Sequence, residues 1–531
     1  MGERTFERDD VMTRQFLMGN DAVALGALHA GAARGTGYPG TPSSEILDGF
    51  NQLGGKAEWA PNEKVAAEVA LGVAFAGVRA FTTMKHVGLN VAADVLFTAA
   101  YSGVDGALVF VVADDPGLAS SQDEQDTRRY AVAAGVPLLE PSDSQEAYDF
   151  MRLAFEVSER WKIPVILRLT TRVCHSGTLV VPRAPDTELP AARFERNIPY
   201  HVMVPGHARP AHRRLRKKLA EIAEWNENDG PNEIVDGTSG TGVIVAGVAY
   251  QHAREAAPDA AFFKIGMSYP LPMRGVLEFI AAQDRGIVIE ENDPYLADAV
   301  RAAGGRVESA PEMYRFGELN VERIRRILAR DTSPEAEPPR GKPPQWCAGC
   351  PHAVTFEILK RNHCIVAGDI GCYTLAALPP LAALDTQICM GASLGVGLGL
   401  RHVLPHDDAK RVVSVIGDST FVHSGLTGLA EMAYNVPPTG HVLLILDNAT
   451  TAMTGQQDHP GTGRHLDQSP ANRLDYEAVV RAMNIPRVRT FDPVREPAEF
   501  EAALVEALQK DELTVLIVRR PCILAVARKG G

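Results

Sequence analysis

Asp418 and Asn448 each close a short apolar run that reads as a buried strand, "RVVSVIGDS" and "HVLLILDN", with about thirty residues between them. In an open parallel sheet, ligands collect outside the carboxyl ends of the strands, so a carboxylate and an amide placed there would face one crevice. A backbone carbonyl near Thr450 would add a third oxygen. Two phosphate oxygens and a water would then complete the octahedral shell that Mg²⁺ prefers. A helix from about Ser424 would aim its N-terminus at those phosphates. Either residue alone is more simply an N-cap or a turn. Their spacing, with Gly417 and the strand–helix–strand context, favours a site for a hard cation carrying a diphosphate.

The cysteines offer a second chemistry. Cys347 and Cys350 form a C-x-x-C, Cys372 follows on "GDIGC", and Cys522 sits at "RRPC" on the last predicted strand. A lone C-x-x-C is ambiguous among zinc, a redox dithiol and an iron–sulfur cluster, and zinc is the default without context. Cys174, Cys364 and Cys389 have no partner spacing and are expected as buried small hydrophobes.

These groups need a scaffold, and the chain alternates strand and helix signals along most of its 531 residues. Up to about residue 190, strand-like runs at 107–113 and 164–171 alternate with a small-residue helix at 64–78. Residues 191–236 read as a connector carrying a basic amphipathic helix, His212 to Trp225, whose cationic face is more simply solvated than docked on an acidic partner. A smaller α/β unit spans 237–330, with strands at 242–250, 260–267 and 286–292. The Pro- and charge-rich stretch 331–345 is the clearest linker, and 346–531 is again α/β. The expected fold class is α/β, multidomain, with two large doubly wound parallel-sheet domains and a smaller α/β domain between them.

Composition narrows the function. A formal charge of −13 argues against non-specific nucleic-acid binding. No apolar run approaches the roughly 20 residues of a membrane span, and the N-terminus lacks a signal-peptide core, so no membrane association and a cytoplasmic location are expected.

"GDS" and "DN" are similar to the thiamine diphosphate motif, Gly-Asp-Gly followed by Asn-Asn, with Ser419 for the third residue and Asp447 for the first Asn. The fuller pattern resembles the 2-oxoacid:ferredoxin oxidoreductases, and within them the large (alpha) subunit of the indolepyruvate enzymes. The resemblance runs through "YPGTPSSEI" (38–46), "NEKVAAEVALGVAFAGVRAFTTMKHVGLN" (62–90), "VVADDPGLASSQDEQDTR" (111–128), "EPSDSQEA" (140–147), "WCAGCPH" (346–352) and "GDIGCYTL" (368–375).

That likeness implies a thiamine diphosphate-binding fold. Residues 1–190 would bind the pyrimidine, 237–330 would be the small transketolase C-terminal-like domain, and 346–531 would bind the diphosphate. It implies Gly417, Asp418, Ser419, Asp447, Asn448, Thr450 and Gly391 at the cofactor, with Asp418, Asn448 and Thr450 on Mg²⁺. Cys347, Cys350, Cys372 and Cys522 would hold one [4Fe–4S] cluster. Glu63 would bond the pyrimidine and activate the cofactor, a task that asks for a buried carboxyl able to stay protonated. Without the likeness Glu63 would be read as a helix cap, and Glu68 looks structural. Thr41 and Pro42 resemble the loop that meets the substrate carboxylate, and Lys85 and His86 could add charge or proton transfer. The implied reaction is oxidative decarboxylation of a 2-oxoacid, an arylpyruvate such as indolepyruvate or phenylpyruvate, to an acyl-coenzyme A.

The implied partners are a small beta subunit and ferredoxin or another electron carrier, in a hetero-oligomer built on a dimer of this chain. The resembled subunit usually ends in a ferredoxin-like module with two cysteine-rich runs. The sequence shows none after "RRPCILAVARKGG", so one cluster at most is expected. Two rivals stand beside this reading: a non-oxidative thiamine-dependent decarboxylase or carboligase, and a non-catalytic scaffold whose cysteines bind structural zinc.

Overall fold

The computed structural model describes residues 14–336 and 345–529. The chain divides into two compact units, Met1–Ala336 and Glu337–Gly531. Most of the linker expected at 331–345 lies outside the described residues.

The first unit is built on a seven-stranded sheet. Its order is Met267–Tyr269, Leu138–Leu139, Val165–Thr170, Ala107–Asp114, Arg79–Lys85, Arg34–Gly37 and Ala57–Trp59, parallel except for the first strand, which is an antiparallel edge. Ala107–Asp114 is buried along its whole length, the signature of a central strand covered on both faces. The helix Glu63–Phe75 packs through Ala66, Ala67, Ala70 and Ala74, all fully buried. Small side chains there let the helix lie close to the sheet.

A second sheet in this unit has five strands, in the order Glu308–Ser309, Arg285–Ile289, Thr241–Ala246, Ala261–Ile265 and Glu233–Val235. The run expected as one strand at 242–250 stops at Ala246, and the helix Ala249–Ala256 follows, because Gly247 turns the chain at φ 59°. The basic helix begins earlier than expected and spans Pro205–Asn228; Leu215, Leu219 and Ile222 are buried, and Arg213 and Lys217 face solvent.

Buried ion pairs tie the two sheets. Arg128 Nη1 donates to Glu290 Oε2 at 2.8 Å and its Nη2 to Asp126 at 2.7 Å. Arg168 Nε donates to Asp114 at 2.6 Å, and Nη1 reaches Glu140. Glu290 also accepts from Leu296 N and Ala297 N at the start of the helix Tyr295–Ala302.

The second unit has one all-parallel sheet, in the order Ile365–Ala367, Val412–Gly417, His441–Asp447, Leu513–Arg519 and Arg487–Phe491. His441–Asp447 is buried throughout and lies between Val412–Gly417 and Leu513–Arg519. Apolar layers on both faces isolate the strands from water. Among the described residues, no helix is long and apolar enough to cross a membrane.

Candidate active site

In the second unit, parallel register brings the ends of Val412–Gly417 and His441–Asp447 side by side, with Gly417 opposite Leu446. Asp418 and Asn448 therefore meet. Asp418 Oδ2 accepts from Asn448 N at 3.1 Å and Ala449 N at 2.8 Å, and Oδ1 accepts from Ser419 N at 2.9 Å. Asn448 Oδ1 accepts from Thr450 N at 3.1 Å. Asp418, Asn448 and Thr450 are all buried. Ala449 between them sits at φ 58°, a left-handed turn that lets successive amides converge on the carboxylate.

The helix expected from about Ser424 starts six residues sooner, at Asp418 itself. It continues through a π-helical turn, Phe421–Gly425, into Leu426–Tyr434. Nothing in "DSTFVHS" breaks a helix, and Gly417 supplies the extended N-cap. The wide turn fits Gly425, where an added Cβ would stand 2.8 Å from Ile416 and 2.9 Å from Phe421.

Gly391 adopts φ 89°, and a Cβ there would lie 2.5 Å from Ser424 Cβ, so only glycine fits. Its amide donates to Asp369 Oδ1 at 2.9 Å, and Ser393 N donates to Oδ2 at 3.0 Å. Asp369 thus caps the helix Ala392–Val403 from a fully buried position, and burial raises its pKa. Asp447 points to the neighbouring strand, where Arg519 Nε donates to it at 2.6 Å. Its other oxygen, Oδ1, is buried with no hydrogen-bond partner, as is Nε2 of His459, 3.4 Å from Asp418 Oδ2. Ser419 Oγ accepts from Thr451 Oγ1 at 2.9 Å.

The cysteine segments reach this same place. Cys350 precedes the helix Pro351–Arg361, whose His352 Nε2 is 3.2 Å from Asn448 Nδ2. Burial drives the His352 pKa down to about 4, against the pull of Asp418, so its Nε2 accepts from the amide as a neutral ring. Tyr373, next to Cys372, accepts from Gly417 N at 3.0 Å. Cys522 N donates to Asn448 O at 2.9 Å. Burial first, then the nearby Cys350, Cys522 and Cys347, push Cys372 up to about 11. Cys350 is raised by burial, with Cys347 and Cys522 adding to it. Among the described residues, no three His, Cys, Asp or Glu side chains are gathered tightly enough to hold a metal ion.

The remaining cysteines divide. Cys174 is buried as expected, and Cys364 is partly buried against the core. Cys389 is exposed, a correction: it lies on the irregular run 387–389 leading to the Gly391 turn, where no element covers it.

In the first unit, Glu63 opens the helix Glu63–Phe75, with Asn62 as N-cap accepting from Val65 N at 2.9 Å. Glu63 is 6% exposed, and its carboxyl lies against Gly88, where an added Cβ would stand 2.5 Å from Oε1. Glu68 is exposed and paired with Lys64. Thr41 is partly exposed; its loop is held by Asn20 Nδ2, which donates to Pro42 O at 2.7 Å, and by Ser44 Oγ, which accepts from Gly40 N at 2.9 Å. His86 is buried, with Nε2 3.2 Å from Asp123 O. Lys85 donates to Ser120 O at 2.8 Å.

Sequence reasoning did not single out His352, Tyr373, His459 or Asp369. His352, Tyr373 and Asp369 stand inside quoted motifs, within three residues of Cys350 or Cys372, and nearness to those cysteines was the available signal.

Comparison with known proteins matches residues 25–221 to the family "Pyruvate flavodoxin/ferredoxin oxidoreductase, thiamine diP-bdg". Residues 369–518 match "Thiamine pyrophosphate enzyme, C-terminal TPP binding domain". The chain is 39% identical to the indolepyruvate oxidoreductase subunit IorA of Archaeoglobus fulgidus, over 98% of this chain and 88% of that protein. It is 38% identical to the subunit of the same name from Pyrococcus abyssi, over 96% and 86%. In fold it is similar to the solved 2-oxoglutarate:ferredoxin oxidoreductase from Magnetococcus marinus, with a TM-score of 0.51 over 62% of this chain and 67% of that chain at 18% identity. The chain belongs to the indolepyruvate oxidoreductase subunit IorA family of thiamine diphosphate-dependent 2-oxoacid:ferredoxin oxidoreductases.

Proposed function

We propose that this chain is the subunit that oxidatively decarboxylates an arylpyruvate, such as indolepyruvate or phenylpyruvate, to an acyl-coenzyme A. A small beta subunit would complete the hetero-oligomer, built on a dimer of this chain, and ferredoxin or a similar carrier would take the electrons. One observation carries the reading. Three cysteine-bearing segments are hydrogen-bonded, through His352, Tyr373 and Cys522 N, to Asn448 and Gly417 beside Asp418. A cluster on those thiols would stand one hydrogen bond from the residues proposed to hold the diphosphate and its cation.

The residues suit the groups. Asp418 Oδ1, Asn448 Oδ1 and the Thr450 carbonyl would hold Mg²⁺, since each of the two side-chain oxygens accepts one hydrogen bond here and keeps a lone pair. The buried, unpartnered Asp447 Oδ1 and His459 Nε2 beside Asp418 are atoms that a ligand would satisfy. A tetrahedral zinc site, with Zn–S near 2.3 Å, draws its sulfurs to about 3.8 Å of each other. A cubane takes one thiolate on each of its four irons, and Cys347, Cys350, Cys372 and Cys522 would supply them. When bound, thiamine diphosphate supplies the nucleophilic carbon and electron sink for decarboxylation, and the cluster supplies the one-electron acceptor.

The chain's own residues do the rest. Glu63, buried at Gly88, would hold a proton on the pyrimidine nitrogen; Thr41 would orient the substrate; His86 would relay a proton. Gly391 and Gly417 leave room for Ser424 and Tyr373, and with Ser419 and Asp447 would line the diphosphate. Iron and acid-labile sulfide, measured on protein purified without oxygen, test the proposal. About four of each per chain is the expected result. Zinc, or no metal at the four cysteines, would sink the redox reading and leave a thiamine decarboxylase.

A further inference from the structure

Beyond the strand Ala107–Asp114 the chain runs as an irregular loop to Asp126, the N-cap of the helix Thr127–Ala134. Three ties hold this loop. Asp115, 1% exposed, accepts at Oδ2 from Ser120 N at 2.8 Å and Ser121 Oγ at 2.5 Å, and at Oδ1 from Thr171 Oγ1 at 2.8 Å. Glu124 Oε2 accepts from Gly117 N at 2.8 Å, which closes the loop on itself. Its Oε1 accepts from Asn292 Nδ2 at 2.7 Å, just past the strand Arg285–Ile289 of the five-stranded sheet. Gly117 packs on that side as well: a Cβ there would lie 3.0 Å from Gly317 Cα.

Between these ties the loop lies on the start of the helix His86–Ser102. Ser120 O accepts from Lys85 Nζ at 2.8 Å, and Asp123 O is 3.2 Å from His86 Nε2. The Asp123 carboxylate is farther off, at 3.7 Å, and half exposed. A carbonyl oxygen can only accept, so Nε2 carries the ring hydrogen and Nδ1 is left with the lone pair of the neutral imidazole. His86 is buried, and among the described residues that Nδ1 has no hydrogen-bond partner. A buried polar atom without a partner is the exception in a folded chain. Here it belongs to the same helical turn as Gly88, against which the Glu63 carboxyl lies.

We propose that the loop 115–126 is a positioning device for His86. The Asp123 carbonyl holds the ring as the Nε2–H tautomer with Nδ1 open to take a proton, and Glu124, through Asn292, is the positioning residue that keeps the carbonyl there. This rests on the reading of His86 as a proton relay given above. It adds that a residue of the five-stranded sheet helps to set that group, across 168 positions of the chain. A loop that only connected strand to helix would have no effect on the tautomer. Glu124 is itself exposed, so its loss leaves the core intact.

The test is ¹⁵N NMR of the full chain labelled at histidine, with the His86 signals assigned by their loss in His86→Gln. The unmodified chain should show His86 as the Nε2–H tautomer alone. Glu124→Ala should give a mixture of tautomers with an unchanged far-UV circular dichroism spectrum. In the assembled enzyme it should lower kcat on phenylpyruvate by up to about a hundredfold at unchanged KM, the cost of a misplaced group. Glu124→Gln should do the same, since its amide nitrogen must face a donor, Gly117 N or Asn292 Nδ2. Adding Asn292→Asp to it reverses the second bond and should restore the single tautomer and the turnover. A mixture in the unmodified chain, or a single Nε2–H tautomer kept by Glu124→Ala, overturns the proposal. If the tautomer changes as expected while kcat does not, the positioning stands and the reading of His86 as a relay falls.

Discussion

Gly88 has no chemistry of its own, yet it packs on the carboxyl proposed to activate the cofactor. An alanine there would drive its Cβ to within 2.5 Å of Glu63 Oε1, too close without moving the carboxyl. Gly88→Ala should therefore lower turnover at least about a hundredfold, the lower range for a misplaced acid–base group. Its helix, favoured by alanine, should stay folded; stopped-flow turnover and far-UV circular dichroism separate the two effects. Glu291 carries a different signal. Burial pushes its carboxyl up to about 7, while Arg168, Arg128 and the Leu319 amide pull the other way and Glu318 adds to the rise. The folded chain then holds a proton that the unfolded chain releases near pH 4.5. Stability from this group is complete below pH 4.5 and is lost as pH rises towards 7. Glu291→Gln should leave stability unchanged at pH 4 and raise it by up to about 3 kcal/mol at pH 8. Urea midpoints at both pH values check this.

At the scale of elements, the first unit depends on how its two sheets are joined. Arg128 lies beyond the strand Ala107–Asp114 and grips Glu290 at the end of Arg285–Ile289, while Asp126 and the Glu291 carbonyl occupy its other protons. Such pairs are weak evidence for net stability, but removing one partner strands the others without solvent. Arg128→Met leaves Asp126 and Glu290 as buried charges facing apolar surface. A loss of about 3–5 kcal/mol is expected, measured by denaturant unfolding. Replacing Arg128 together with both acids by apolar residues should recover much of it. The second unit is held differently: its strands are buried by apolar layers, and its polar contacts cluster at the carboxyl end of the sheet, where Asp369, Tyr373 and His352 fasten loops to strands.

For the whole molecule, the proposed site residues divide between the two units. Every residue assigned to Mg²⁺, the diphosphate and the cluster belongs to Glu337–Gly531, whereas Glu63, Thr41, Lys85 and His86 belong to Met1–Ala336. Glu63→Gln should therefore abolish turnover, by about 10²–10⁴-fold, while iron content and Mg²⁺-dependent diphosphate affinity remain those of the unmodified chain. Metal analysis and calorimetry on the same preparation read both. Unchanged turnover would remove Glu63 from the mechanism.

Much of the architecture is legible in the sequence because its causes are local. Apolar runs that end in Gly417-Asp418 and in Asp447-Asn448 need only strand period and length to be read. Parallel pairing then forces Asp418 and Asn448 together, as the structure has them. Boundaries are less legible: the helix after Gly417 starts at Asp418 instead of near Ser424, since a π-turn leaves no trace in residue spacing. Nor does spacing reveal which distant side chains close the site. His352 meets Asn448 across 96 positions, Tyr373 meets Gly417 across 44, and Arg128 meets Glu290 across 162. The sequence by itself determined the α/β layering and where the candidate oxygen and sulfur donors stand along the chain, because periodicity and turn chemistry act over a few residues. Only the tertiary structure decided which of those groups are buried, partnered or left with a spare lone pair, because burial and hydrogen bonding depend on neighbours that chain order does not specify.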